Sequence, residues 1–234
     1  MEPKPNRGNI TERYRRLEKI ARRELSSSAH DMEHLGRVCQ MCLRLAEDER
    51  DIDLDVLRTA ALLHDIGRDR EDQDNSGDTD HALLAAEMAE RILRDMGDSE
   101  ERIESVKHCI IAHRFRSSTQ PRTKEARIFF DADKLDVIGA IGIARIFMIA
   151  GQYGEKMFSN AAIAEYVRDN LLGGRPTGRI KDISKHSPNI EFETKLRHIP
   201  DKLYTQKAKE IAEGRMRFMI GFFDRLEAEI KRDD

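Results

Sequence analysis

An all-α fold is expected of this 234-residue chain, on three observations. Apolar residues recur at steps of three and four through most of the sequence. No segment sustains the period-two alternation of a strand. Gly, Pro and Ser gather between the periodic segments rather than inside them. The composition fits: 39% of residues belong to the AVILMFWYC set and 36% are charged, too polar for a membrane protein and apolar enough to close a core. The length suits one well-buried domain spanning 1–234.

The elements follow in order. Arg13 to Leu25 reads as a charged helix with Tyr14, Leu17 and Ala21 on one stripe. Ser26, Ser27 and Ser28 then offer N-caps for a second helix from about Ala29 to Glu47, with Leu35, Val38, Cys42 and Leu45 inward. A third covers roughly Leu54 to Asp65 and stops at Gly67. Residues 68–80 contain no apolar side chain and are expected to be a solvated loop. A fourth helix runs from about Asp80 to Met96, capped by Thr79 or a neighbour, and a fifth from about Ser99 to Arg114. Thr123 to Ala150 reads as one long or kinked helical run, with Gly139 and Gly142 as points of close packing. The Gly, Pro and Ser density of 171–190 predicts a long loop. The ending, Lys202 to Ile230, is helical again, with Ile211, Met219, Phe222, Phe223 and Leu226 as inward positions.

Several classes of function are disfavoured. Lys and Arg number 41 against 44 Asp and Glu, a balance unlike that of a dedicated nucleic-acid binder. The longest apolar stretch, Val137 to Ala150, is cut by Arg145 and falls short of the roughly 20 residues a membrane span needs. The opening MEPKPNRGN lacks the apolar core of a signal peptide. Three cysteines cannot pair evenly, and Cys39 and Cys42 sit at helical spacing as two small buried thiols. A reduced, cytoplasmic setting is the economical expectation, with no membrane partner.

The informative residues are histidines and aspartates. His34 lies in D-x-x-H-x-x-R-V, residues 31 to 38. His64 and Asp65 close L-L-H-D-I-G, and Asp133 lies in D-A-D-K-L-D. This H…HD…D series on successive helices resembles the HD superfamily of metal-dependent phosphohydrolases, over about residues 26–150. The resemblance implies a helical HD-domain bundle, with 151–234 as a C-terminal helical extension packed on it. It also implies His34, His64, Asp65 and Asp133 as metal ligands. The residue types make independent sense, since two imidazoles and two carboxylates suit divalent transition metals. Neighbouring side chains on a helix diverge by about 100°, so His64 and Asp65 share an ion most easily at a helix end, where Gly67 puts them.

Within D-A-D-K-L-D, Asp133 shares its helical face with Phe129, Phe130, Val137 and Ala140 and is the inward carboxylate. Asp136, three residues on, is placed to orient a ligand or a water. Asp131 lies about 200° around the helix and is expected to be solvated. Asp31 shares a face with His34 and is expected to be a hydrogen-bond partner behind the ligands. His30, one turn before His34, is expected to be structural or peripheral.

Two further histidines bear on a second ion. His81 falls in the first turn of the fourth helix, where the positive dipole end suits a neutral ligating ring. His113 lies on the apolar stripe of the fifth helix with Val106, Cys109 and Ile110, while His108 lies opposite. In HD proteins with two metals, one histidine follows the loop after the HD pair and another ends the next helix. His81 and His113 match those positions, and Asp65 would bridge. A surface histidine and a core histidine are the plainer alternatives. The implied cofactor is thus one or two divalent ions per chain, from Mn, Mg, Ni, Co, Zn or Fe.

Phosphoester cleavage needs cations around the phosphoryl oxygens. Arg37 is one turn from His34, Arg68 follows the HD pair, Lys134 adjoins Asp133, and Arg114 and Arg116 follow His113. Each alone reads as a solvated cation; as a set around the ligands, some should reach a substrate phosphate. The resemblance therefore implies hydrolysis of a small phosphorylated substrate, a nucleotide among them, by a monomer or homodimer. Two rivals remain open: an HD-fold di-iron oxygenase, and a nucleotide-sensing HD module without turnover.

Overall fold

The structure, a computed structural model, describes residues 7–25, 31–74, 79–114, 119–176 and 178–232. The fold is all-α: among the described residues there are helices and one isolated bridge, Leu171 to Ile180, but no strand. Two compact units divide the chain, Met1–Asp133 and Lys134–Asp234.

The first unit contains α1 (Arg7–Glu24), α2 (Met32–Ala46), α3 (Leu54–Leu63), α4 (Arg68–Gln73), α5 (His81–Asp95), α6 (Glu100–Ala112) and the larger part of α7 (Lys124–Asp136). Most helices start on a carboxylate or hydroxyl cap. Asp53 accepts from the backbone of Asp55 and Val56, Asp80 from Ala82 and Leu83, and Ser99 from Arg102. α3 packs against α1, α2 and α6, and α5 lies along α6. The buried stripe Ala82, Ala85, Ala86 and Ala89 gives α5 a small-residue face. Its end is a Schellman turn. Gly97, at φ +80°, takes the left-handed position while Asp98 N–H reaches Leu93 O and Gly97 N–H reaches Arg94 O.

Three expectations are revised here. The second helix starts at Met32 on the N-cap Asp31; Ser26, Ser27, Ser28 and His30 lie outside the described residues. The segment after Gly67 is not all loop, because Arg68–Gln73 forms α4. This helix buries no residue, so apolar periodicity could not reveal it. It is supported by charge: Arg68 pairs with Glu71 at 3.0 Å and Asp72 at 3.3 Å, and two acidic residues occupy the first turn. The long run from Thr123 is two helices, with α8 (Gly139–Tyr153) beginning after a break at Val137 and Ile138. Gly139 sits at φ +78°, and a Cβ on Gly142 would lie 2.3 Å from Val137 O, so the chain turns back on itself where only glycine fits.

The second unit comprises the end of α7, α8, α9 (Ile163–Asn170), α10 (Pro188–Thr194) and α11 (Gln206–Lys231). On α11, Met219 and Phe223 are buried, whereas Ile211, Phe222 and Leu226 are half-buried. Phe223 stacks on Phe192 of α10 with ring centroids 4.6 Å apart. Residues 171–176 and 178–187 hold two single 3-10 turns, Leu172–Gly174 and Ile183–Lys185, and are otherwise irregular as expected, yet pinned, while 188–190 already belong to α10. Leu172 N–H donates to Arg179 O at 2.8 Å, and the Asn170 side chain bonds both backbone groups of Asp182. His186 is buried there beside Tyr166 and Glu191. Among the described residues no single helix is long and apolar enough to cross a membrane.

Candidate metal centre

The centre is built from helix ends in the first unit. Asp31 closes the N-terminus of α2 by accepting the His34 backbone N–H at 2.9 Å, which fixes the turn that carries His34. α3 ends at its C-cap His64, and the chain turns through Asp65 and Ile66 to Gly67. A helix end is where adjacent side chains can converge. His64 Nε2 lies 3.2 Å from His34 Nε2 and 3.3 Å from Asp65 Oδ2. Asp133, from α7, places Oδ1 at 3.5 Å from His34 Nε2 and 3.8 Å from His64 Nε2. All four side chains are buried.

A second buried group adjoins the first. Ligand atoms of Asp65, His81 and His113 lie within 4.8 Å of one another, as do those of His34, His64 and Asp65. Asp65 thus belongs to both triads, with Oδ2 toward His64 and Oδ1 at 3.7 Å from His81 Nε2. The His113 ring sits edge-on to His64 and His81, with centroids at 5.1 and 5.5 Å, and Phe129 closes the apolar side.

The far ring nitrogens are tied back. His64 Nδ1 lies 3.0 Å from Ala61 O, and His113 Nδ1 contacts Ile110 O. A carbonyl only accepts, so each Nδ1 carries the proton and each Nε2 is left with a lone pair. His81 Nδ1 meets Glu71 Oε2 at 2.7 Å. Burial pushes the Glu71 carboxyl up, but the hydrogen bond from His81 and the Arg68 and Arg114 guanidiniums outweigh it and hold its pKa at about 2. At His64, burial disfavours the imidazolium, and the Asp65 and Asp133 carboxylates more than reverse that, raising its pKa. The cluster therefore favours positive charge, as expected of buried nitrogen and oxygen donors that would hold a divalent cation. These residues fit a metal.

The other expected site residues fall in different places. Arg37 is half-buried on α2, 4.0 Å from Glu33. Arg68 and Arg114 are engaged with carboxylates: Arg68 with Glu71 and Asp72, and Arg114 with Glu71 at 2.9 Å and Asp80 at 2.6 Å. Arg116 lies outside the described residues. Lys134 and Asp136 belong to the second unit; both are buried, and Asp136 accepts from Arg145 at 2.8 Å. Asp131 is fully buried, contrary to the expectation of a solvated carboxylate. Ile128 to Asp136 is buried on every side of the helix, so angle alone could not assign an exposed face. Cys42 is buried and Cys39 half-buried, and burial raises both thiol pKa values. Glu71 was not anticipated; the Arg68-x-x-Glu71 spacing within an acidic segment was its only trace in the sequence.

Comparison with known proteins agrees with this architecture. The HD domain family model matches residues 31–138. The YpgQ protein of Bacillus subtilis is 30% identical over 208 residues, covering 87% of this chain and 86% of that protein. Its crystal structure in complex with ADP superposes with a TM-score of 0.67 at 27% identity, covering 93% of this chain and 97% of that one. A Lactobacillus plantarum structure gives a TM-score of 0.75 at 26% identity, covering 94% and 98%. An HD-superfamily hydrolase from Bacillus thuringiensis gives 0.63 at 27% identity, also covering 94% and 98%. With the H…HD…D residues gathered at one buried centre and relatives matched along nearly their whole length, the chain belongs to the HD-domain family.

Proposed function

We propose that this protein is a metal-dependent phosphohydrolase that cleaves a phosphoester or phosphoanhydride of a nucleotide or another small phosphorylated metabolite. Asp65 is the observation that carries this conclusion: one buried carboxylate is shared by two groups of nitrogen donors. His34, His64, Asp65 and Asp133 would hold one divalent ion, and His81 and His113, with Asp65 bridging, a second. When bound, such an ion brings the pKa of a coordinated water toward neutrality and so supplies the nucleophile.

The chain's own groups do the rest. The Nδ1–H tethers on His64 and His113 hold their rings in one orientation before substrate arrives, so no reorganisation is required at the moment of reaction. Arg37 sits one turn from His34 and is half-buried rather than fully solvated, which suits a phosphate contact beside the ligands. The ADP bound to the Bacillus subtilis relative supports a nucleotide among the substrates.

The test is phosphate release from a panel of nucleotides and sugar phosphates, with Mn, Mg, Co, Ni or Zn added, under anaerobic conditions. Turnover with redox-inert ions and no oxygen is expected, with its loss in Asp65→Ala. Unchanged turnover in that variant would exclude the mechanism. Oxygen uptake with bound iron and no phosphate release would assign the oxygenase instead. Tight nucleotide binding with full metal and no turnover would assign the sensing module.

A further inference from the structure

His64 and His113 satisfy their Nδ1–H groups in the same way. Each ends a helix, where the last carbonyls lack intrahelical partners, and each uses the carbonyl three residues back. His81 has no such option. It is the first residue of α5, surrounded by the N–H groups of a first turn, two of which Asp80 already accepts. A partner for its Nδ1 must come from another element, and α4 supplies it: Glu71 Oε2, at 2.7 Å.

We propose that Glu71 is the positioning residue of the second metal site, accepting the His81 Nδ1–H so that Nε2 is directed at the ion shared with Asp65. This rests on the metal-centre reading above and extends it to a residue outside the ligand set. Glu71 is itself held. Arg68 Nη1 lies 3.0 Å from Oε2, and Arg114 Nη2 lies 2.9 Å from Oε1 while its Nη1 reaches Asp80, the cap of the same helix, at 2.6 Å. Arg68 Nη1 also stands 3.2 Å from His81 Nδ1, but a guanidinium only donates, so the nearer Glu71 carboxylate is the group that can accept the Nδ1–H. Arg114 acts on the centre through Glu71 and Asp80. Gly67 lets α4 come this close: a Cβ there would stand 2.7 Å from His81 O and 3.0 Å from Ala85 N. The acidic segment that apolar periodicity passes over is the arm that aims a ligand.

The experiment is a titration of the metal-stripped full-length protein with Mn²⁺ by equilibrium dialysis and elemental analysis. It is paired with ¹⁵N NMR of the histidine rings in the metal-free state. The wild type should bind two ions per chain and show His81 as the Nδ1–H tautomer. Glu71→Ala should weaken the second ion by about 10–100-fold and leave the first unchanged. Glu71→Gln keeps an accepting carbonyl and should recover most of the loss. If Glu71→Ala proves unfolded by circular dichroism, the wild-type tautomer and the Gln variant decide alone. One ion in the wild type, an Nε2–H tautomer at His81, or an unchanged second affinity in Glu71→Ala would each overturn the proposal. Two ions with the expected Glu71 dependence but no phosphate release would instead sink the phosphohydrolase reading and leave this one standing.

Discussion

The Nε2 atoms of His34 and His64 lie 3.2 Å apart, with carboxylate oxygens of Asp65 and Asp133 at 3.3 to 3.8 Å from them. Because His64 donates Nδ1–H to Ala61, its Nε2 offers a lone pair to this buried space when the ring is neutral. Converging lone pairs and carboxylates repel unless a cation stands between them. Binding of that cation to the folded chain alone must then stabilise it. At a free metal concentration 100 times the dissociation constant the gain is about 2.7 kcal/mol, or about 5–10 °C in melting temperature for a chain of this size. Scanning fluorimetry with Mn²⁺ and with a chelator reads this directly. His34→Ala should lose most of the metal-dependent shift, and a full shift in that variant would mean the ion binds elsewhere.

Asp65 is expected to differ from every other ligand in what its loss removes. His113→Ala takes one nitrogen from one triad and should leave one ion per chain. Asp65→Ala takes the shared carboxylate from both. It should bind neither ion tightly and lose about 10³-fold or more in turnover, several kcal/mol of transition-state stabilisation. Elemental analysis beside the phosphate assay separates the two variants. Equal metal loss in both would argue against a bridging carboxylate.

The convergence of His34, His64 and Asp65 was legible because each lies in a short run whose neighbours fix its position: Asp31 caps the turn bearing His34, and the end of α3 turns out His64 and Asp65. Asp131 and the segment that forms α4 were misjudged for opposite reasons. A helical wheel assumes one solvated side, and α7 has none from Ile128 to Asp136, so Asp131 is buried. Periodicity assumes an apolar face, and α4 has none, so a helix held by Arg68 pairing and by the Glu71 contact to His81 looked like a loop. Arg114 read as a free cation because its partners, brought in from α4 and the start of α5, are set by tertiary packing. Arg68 did so because its i,i+3 and i,i+4 partners pair with it only once α4 is recognised as a helix.

Two glycines in helices should respond oppositely to the same substitution. Gly36 lies inside α2 with nothing within 4 Å of a built Cβ, so Gly36→Ala should stabilise by about 0.4–1 kcal/mol through the unfolded chain. Gly142 has Val137 O at 2.3 Å from that position, and Gly142→Ala should cost about 1–3 kcal/mol as α8 is forced off the preceding turn. Urea denaturation of the two variants gives both signs. A stabilised Gly142→Ala would mean that α8 does not start against Val137.

Acid sensitivity should arise partly in the second unit, at Glu191. Burial raises this carboxyl's pKa, but the Lys195 ammonium at 2.6 Å and the hydrogen bond with His186 outweigh it and hold it well below the usual glutamate range. The folded state then binds fewer protons than the unfolded chain between the two pKa values. Its contribution is present above about pH 4.5 and lost as pH falls below that. Glu191→Gln should cost about 1–2 kcal/mol at pH 7, where a charged hydrogen-bond acceptor is removed. The gap between the wild type and the variant should narrow as pH drops toward 3, because the unfolded wild-type chain takes up the proton there while the folded carboxylate stays ionised. Chemical denaturation at pH 7, 5 and 3 measures that gap. A gap independent of pH would show that Glu191 stabilises by packing and not by its charge.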